Sequence, residues 1–132
     1  MRESVTTVNQ KRPVNLDLTK FSFPLPALTS IAHRVAGVIL FVGVIFLLCA
    51  LSSSLESAEG FASIKNSMTS GFGSFITWGL LSALAYHFVA GIKHLLMDLG
   101  IGEDKESGVI AAAFTIIISG VLIVLAGVWV WA

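Results

Sequence analysis

His87 and His94 stand seven residues apart in a stretch that is otherwise mostly apolar, and with His33 they are the only histidines of the chain. Ionisable and metal-ligating side chains inside a bilayer are costly and are usually kept for function, so these positions carry most of the chemistry the sequence offers. Gly79, Ala83, His87 and Gly91 recur every four residues, which on a helix makes one nearly flat strip of small residues with an imidazole in it. A neighbouring helix is the ordinary occupant of such a strip, and a lone buried histidine is as often a hydrogen-bonded structural residue. The histidine adds a second reading, a porphyrin, whose iron takes an imidazole nitrogen and whose flat ring needs a surface free of bulky side chains.

Spacing limits what the histidines can do together. At about 1.5 Å rise per residue, His87 and His94 are roughly 10 Å apart along one helix, so they cannot be opposite ligands of a single iron. Bis-imidazole ligation needs a histidine from another helix, either His33 or one on a different polypeptide. Depth argues against His33, which is expected at the cytoplasmic mouth beside His94 while His87 lies about two turns deeper. His33 and Arg34 suit haem propionates better, since those carboxylates seek cations near the interface. His94 is open between propionate contact and an interfacial place, and for His33 and Arg34 the competing reading is snorkelling to lipid headgroups. Ser30 and Arg34, four residues apart, share a helix side with Gly37 and offer a hydroxyl, a cation and then room. Ser30 or Thr29 is equally suited to cap the helix N-terminus.

These residues must be carried by membrane-embedded helices. The chain has 132 residues, 55% hydrophobic and only 12% charged, which cannot present a normal water-facing surface. Its apolar residues gather at 35–51, 72–92 and 109–132, each close to the roughly 20 residues a helix needs to cross hydrocarbon. The runs are continuous and do not alternate, so helices are favoured over a barrel. The fold expected is therefore an all-α membrane protein with three transmembrane helices in a single domain. An N-terminal interfacial arm occupies 1–29, and the spans lie at about 30–52, 71–97 and 108–131.

Basic residues orient the spans, because Lys and Arg favour the cytoplasmic side of short loops. Arg2, Lys11, Arg12, Lys20 and Arg34 precede or open the first span, Lys93 and Lys105 flank the second loop, and only Lys65 lies in the first. That distribution predicts a cytoplasmic N-terminus and a periplasmic C-terminus. Trp129 and Trp131, with Phe72, Phe75 and Trp78, then fall at the outer face, where an aromatic belt is expected. A signal peptide would also explain a basic segment before an apolar run, but this run starts late and is followed by two more. Pro24 and Pro26 predict an extended entry, with the helix starting at Thr29 or Ser30. The two loops read as short and rich in Ser, Gly and acidic residues, with no repeat and no second domain. A net charge of zero gives no argument for nucleic acid, and Cys49, the only cysteine, excludes a disulfide framework and an iron-sulfur cluster.

Two blocks of sequence are similar to a known family, the cytochrome b membrane-anchor subunit of succinate dehydrogenase, respiratory complex II. The first is Arg12-Pro13-Val14-Asn15-Leu16-Asp17-Leu18, then Phe23-Pro24 and Ser30-Ile31-Ala32-His33-Arg34-Val35-Ala36-Gly37. The second runs from His87 through Gly91, Lys93 and His94 to Asp98. Together with the length and the three spans, they cover nearly the whole chain. The resemblance implies a bacterial inner-membrane subunit that shares one haem b with a second small membrane-anchor subunit, with His87 as one axial ligand and the partner supplying the other. It also implies that Ser30 and Arg34 line a ubiquinone site, which receives electrons from succinate through a flavoprotein subunit and an iron-sulfur subunit. The chain itself has neither a dinucleotide fingerprint nor a cysteine cluster for those earlier steps. It departs from the family at Ala36, where many members have Ser, and at Lys93, where Arg is common; Lys meets a carboxylate as a point charge and not as a planar fork.

Two other classes compete with this reading. A haem-free channel built from several copies would line a water path with the intramembrane His, Arg and Ser. A purely structural anchor, as in some fumarate reductase anchors, would lack the haem histidine, and here His87 is present. A self-contained two-haem cytochrome needs four histidines and is excluded by three.

Overall fold

In the computed structural model, which describes residues 22–132, the chain enters extended and turns into helix α1 (Leu25–Glu56) with Pro24 at its N-cap. The helix therefore begins at Leu25 and not at Thr29 or Ser30. Proline in a first turn costs little, because the N–H it lacks would have no intrahelical partner there. Pro26 occupies that turn, and the Pro24 carbonyl already accepts from the amides of Ala27 at 2.9 Å and Leu28 at 3.2 Å. Ser30 is thus not an N-cap. The block of sequence from Arg12 to Leu18, and most of the expected arm, lie outside the described residues.

After α1 comes a helix that the sequence reading takes for loop, α2 (Ala58–Thr69). Ser57 caps it, its hydroxyl accepting from the Gly60 amide at 3.0 Å, and Glu59 complements the positive end of the dipole in its first turn. Phe61, Ile64 and Met68, spaced three and four apart, give it one apolar side. It packs against α1 and against α3 (Gly71–Asp98) at the end away from His94. A short turn through Gly100 and Gly102, both at positive φ, leads to α4 (Lys105–Trp131). Asp104 caps α4 by accepting from the Ser107 amide at 2.9 Å. The described residues are all helical apart from these connections, and α1, α3 and α4 are the three helices long and apolar enough to cross a membrane.

The three long helices touch one another through small residues. Thr29, Ala36 and Gly43 are the buried positions of α1, Ser74, Ala83, Ala90 and Lys93 those of α3, and Gly108, Ala112, Thr115 and Ser119 those of α4. Large apolar side chains such as Phe41 and Phe46 point outward. Lipid is as apolar as leucine, so helices in it gain by close backbone approach and not by burying bulk. The buried hydroxyls of α4 are satisfied within the helix: Thr115 donates to the Ala111 carbonyl at 2.8 Å and Ser119 to that of Thr115 at 2.6 Å.

At the α2 end the aromatic residues gather as expected, with Phe75 and Trp78 each beside Trp131, ring centroids 5.2 Å and 5.7 Å apart. Trp78 departs from a belt residue in one respect. Its indole N–H is spent inside the bundle, on the Ile123 carbonyl at 3.0 Å, beside Gly127.

Candidate functional site

At the opposite end, α1 and α3 bring the three histidines together. The His33 and His87 rings are stacked, centroids 4.1 Å apart and 20° from parallel, and His94 lies tilted against the other side of the cluster, 5.0 Å from His33. This corrects the depth expected for His33, which belongs as much beside His87 as beside His94. The side chains of α3 lean along its axis, and α1 crosses where its His33 fits between them. The rings meet face to face, so their nitrogens do not converge on one iron. Among the described residues no group of three or more His, Cys, Asp or Glu is placed to hold a bare metal ion.

His87 is held by one directional contact. Its Nδ1 lies 3.1 Å from the main-chain carbonyl of His33. A carbonyl oxygen only accepts, so Nδ1 is the donor in this contact, which in a neutral imidazole leaves the lone pair on Nε2. A backbone carbonyl fixing one imidazole nitrogen so that the other can meet a metal is the usual arrangement behind a ligating histidine. Gly37 makes room for the ring: a Cβ there would come within 3.1 Å of His87 Cε1. Gly91 in turn faces His33, whose Nε2 would stand 3.7 Å from a Cβ at that position. The part of the small-residue strip around His87 and Gly91 therefore accommodates α1, while Gly79 faces open space.

Among the described residues the buried His33 Nε2 has no hydrogen-bond partner. Buried polar atoms are nearly always paired, so this nitrogen is a position where a further acceptor or donor is expected. Ser30 is half-buried and Arg34 exposed. Helical register sets both on the flank of α1 that carries Gly37.

Three further residues stand nearby: Tyr86, which sequence reasoning passed over, and Thr29 and Lys93, which it weighed only as a helix cap and as a point charge for a carboxylate. Thr29, 3% exposed, accepts at its hydroxyl from Lys93 Nζ at 3.3 Å and donates that hydroxyl to the Pro26 carbonyl at 3.0 Å. The Thr29 carbonyl accepts from the Tyr86 hydroxyl at 2.9 Å. Lys93 is itself buried, and it also borders a largely apolar cleft of about 480 Å³ between α3 and α4. The sequence held one signal for this group, a lysine and a tyrosine close to His87 in an apolar stretch.

Fold and site together define a polytopic helical membrane protein with a histidine cluster between two of its long apolar helices. Its sequence resolves which one. A family model described as succinate dehydrogenase/fumarate reductase transmembrane subunit matches residues 8–130. The chain is 44% identical over 125 residues to the succinate dehydrogenase cytochrome b556 subunit of Coxiella burnetii, covering 94% of this chain and 100% of that one. It is 35% identical over 95 residues to the subunit of the same name from Paracoccus denitrificans, with 72% and 73% covered. It is also 32% identical over 119 residues to the human mitochondrial cytochrome b560 subunit, with 85% and 70% covered. The chain belongs to the succinate dehydrogenase/fumarate reductase transmembrane subunit family. With its three spans it is a multi-pass protein of the bacterial inner membrane.

Proposed function

We propose that this chain is the cytochrome b anchor of a succinate:ubiquinone oxidoreductase, holding one haem b together with a second anchor subunit and forming part of the site where ubiquinone is reduced. The observation that carries the haem reading is the contact of His87 Nδ1 with the His33 carbonyl, which in a neutral imidazole leaves the lone pair on Nε2 for a metal. The partner anchor supplies the opposite ligand, since the stacked faces of His33 and His87 cannot. The orphaned Nε2 of His33, with Arg34 and His94 nearby, supports these three as contacts for the haem propionates. When bound, the haem supplies one-electron redox chemistry.

Ser30 and Arg34 are the groups that meet the quinone. Hydroxyl and guanidinium hydrogen-bond a quinone carbonyl oxygen and stabilise the negative charge that develops on it as electrons arrive, more strongly where water is excluded. Two electrons, reaching the site from the iron-sulfur subunit and originating at the flavoprotein subunit, and two protons from the aqueous side at the His94 end complete quinol. The chain has no part in binding succinate.

The test is a dithionite-minus-oxidised visible spectrum of the detergent-purified complex captured through this chain, with the copurifying subunits identified by mass. A sharp low-spin b-type band beside flavin and iron-sulfur partners is expected. Absence of both haem and large partners would favour a channel or packing role for the histidines. For the quinone site, Arg34→Ala is expected to lower the ratio of quinone reduction to artificial-dye reduction at least tenfold, the order of effect of removing one preorganised charge-stabilising donor. An unchanged ratio would remove Arg34 from the site.

A further inference from the structure

Three side chains of α3 bond to a single stretch of α1. Tyr86 donates to the Thr29 carbonyl at 2.9 Å, Lys93 to the Thr29 hydroxyl at 3.3 Å, and His87 to the His33 carbonyl at 3.1 Å. Tyr86 and His87 are neighbours on α3, and their acceptors are one helical turn apart on α1. In the α-helical register the His33 amide is paired with that same Thr29 carbonyl. Thr29 therefore links the first turns of α1 to α3 through both its main chain and its side chain.

Two features show why such a link is needed. The start of α1 has no side-chain cap, because Pro24 occupies the N-cap, and uncapped first turns fray. The other buried positions of α1 and α3 are mostly small, Ala36 and Gly43 on one and Ala83 and Ala90 on the other. Flat surfaces of this kind resist rotation about the helix axis only weakly, whereas hydrogen bonds lose strength steeply when donor and acceptor turn away from one another. Thr29 and Lys93 are 3% and 8% exposed, so their bond is shielded from competing water.

We propose that Tyr86 and Lys93 are positioning residues: by clamping Thr29 they fix the rotation and order of the first turns of α1, and so hold Ser30 and Arg34 in the one arrangement that receives quinone. The role rests on the quinone reading given above. Neither residue touches the quinone. With the clamp released, α1 spends only a fraction of its time in the competent arrangement, and apparent affinity falls by that fraction while turnover of the bound complex is kept.

The test uses the assembled complex in membranes. Tyr86→Phe keeps the ring and loses the hydroxyl, and Lys93→Met keeps the stem and loses the ammonium. Each is expected to raise the quinone KM roughly three- to tenfold, the size set by one shielded hydrogen bond, with kcat within about twofold and the haem band per complex unchanged. Thr29→Val removes the hydroxyl and leaves the carbonyl. Adding Lys93→Met to Thr29→Val should cost nothing further, because both remove the same bond. A purely structural role would reduce the amount of complex and leave KM unchanged, and that outcome overturns the proposal. Arg34→Ala, measured alongside, separates the two levels. If it lowers quinone reduction while Tyr86→Phe and Lys93→Met leave KM alone, the clamp is wrong and the quinone site stands. If Arg34→Ala also has no effect, the quinone reading fails and the proposed role of the clamp fails with it.

Discussion

His33 offers His87 both its main chain and its ring, the carbonyl 3.1 Å from Nδ1 and the imidazole stacked with centroids 4.1 Å apart. The two contributions separate on mutation, because a side-chain change leaves the carbonyl in place. His87→Ala is expected to abolish the reduced-minus-oxidised b-type band. His33→Ala is expected to keep most of the band and shift its midpoint potential, since the carbonyl contact survives while the surroundings change. Difference spectra normalised to flavin content check this, and equal loss in both variants would mean that the His33 ring, not its carbonyl, holds the ligand.

Gly37 and Gly43 each meet a side chain of α3 and should respond differently to alanine. A Cβ at Gly43 would come within 2.6 Å of Leu80 Cδ2, the free end of a flexible side chain that can turn aside. A Cβ at Gly37 would meet His87 Cε1 at 3.1 Å, on a ring held by its bond and its stack. Alanine gains about 1 kcal/mol of helix propensity at either site. Gly43→Ala should therefore change the thermal midpoint of the complex little, and Gly37→Ala should lower haem per complex or shift its band. Identical spectra for the two variants would contradict the contact at Gly37.

Trp78 joins α3 to α4 by its bond to the Ile123 carbonyl at 3.0 Å. Trp78→Phe keeps an aromatic ring near Trp131 and removes the donor. The expected cost is about 1 kcal/mol, the net value of one such bond, read as a lowered thermal midpoint with quinone KM unaltered. A changed KM would mean that the two ends of the bundle are coupled.

Asp104 is the one cap whose strength depends on pH. The Ser107 hydroxyl, then its backbone amide, hold the exposed Asp104 carboxyl below its ordinary value of 3.8. A carboxyl lowered on folding stabilises above its unfolded value, and that contribution is lost as pH falls through the lower folded value. Protection of the first-turn amides of α4 against hydrogen exchange, corrected for intrinsic rate, should thus fall as the medium is acidified below that ordinary value. In Asp104→Asn, which keeps an acceptor and does not titrate, the protection should stay level.

The number of spans and the blocks around Ser30–Gly37 and His87–Asp98 were legible in the residues themselves. Lipid cannot hydrogen-bond a backbone, so a continuous apolar run of sufficient length dictates a helix wherever it occurs, and a histidine within it stands out. Helix α2 was less legible. It is short, only moderately apolar and set between two spans, and its signal was no more than Ser57, Glu59 and the spacing of Phe61, Ile64 and Met68. The start of α1 was misread because Pro26 weighs against a helix everywhere except in the first turn, and which turn is first is settled by what precedes it.

The relations between helices were decided by the tertiary structure alone. That His33 stacks on His87, and that Tyr86 and Lys93 reach Thr29 across 57 and 64 residues of chain, depends on how α1 is rotated and slid against α3. Periodicity assigns a residue to a side of its own helix and carries no information on which residue of another helix it will face. The packing of α1 against α3 makes that choice, and the hydrogen bonds from Tyr86, His87 and Lys93 at one end lock it.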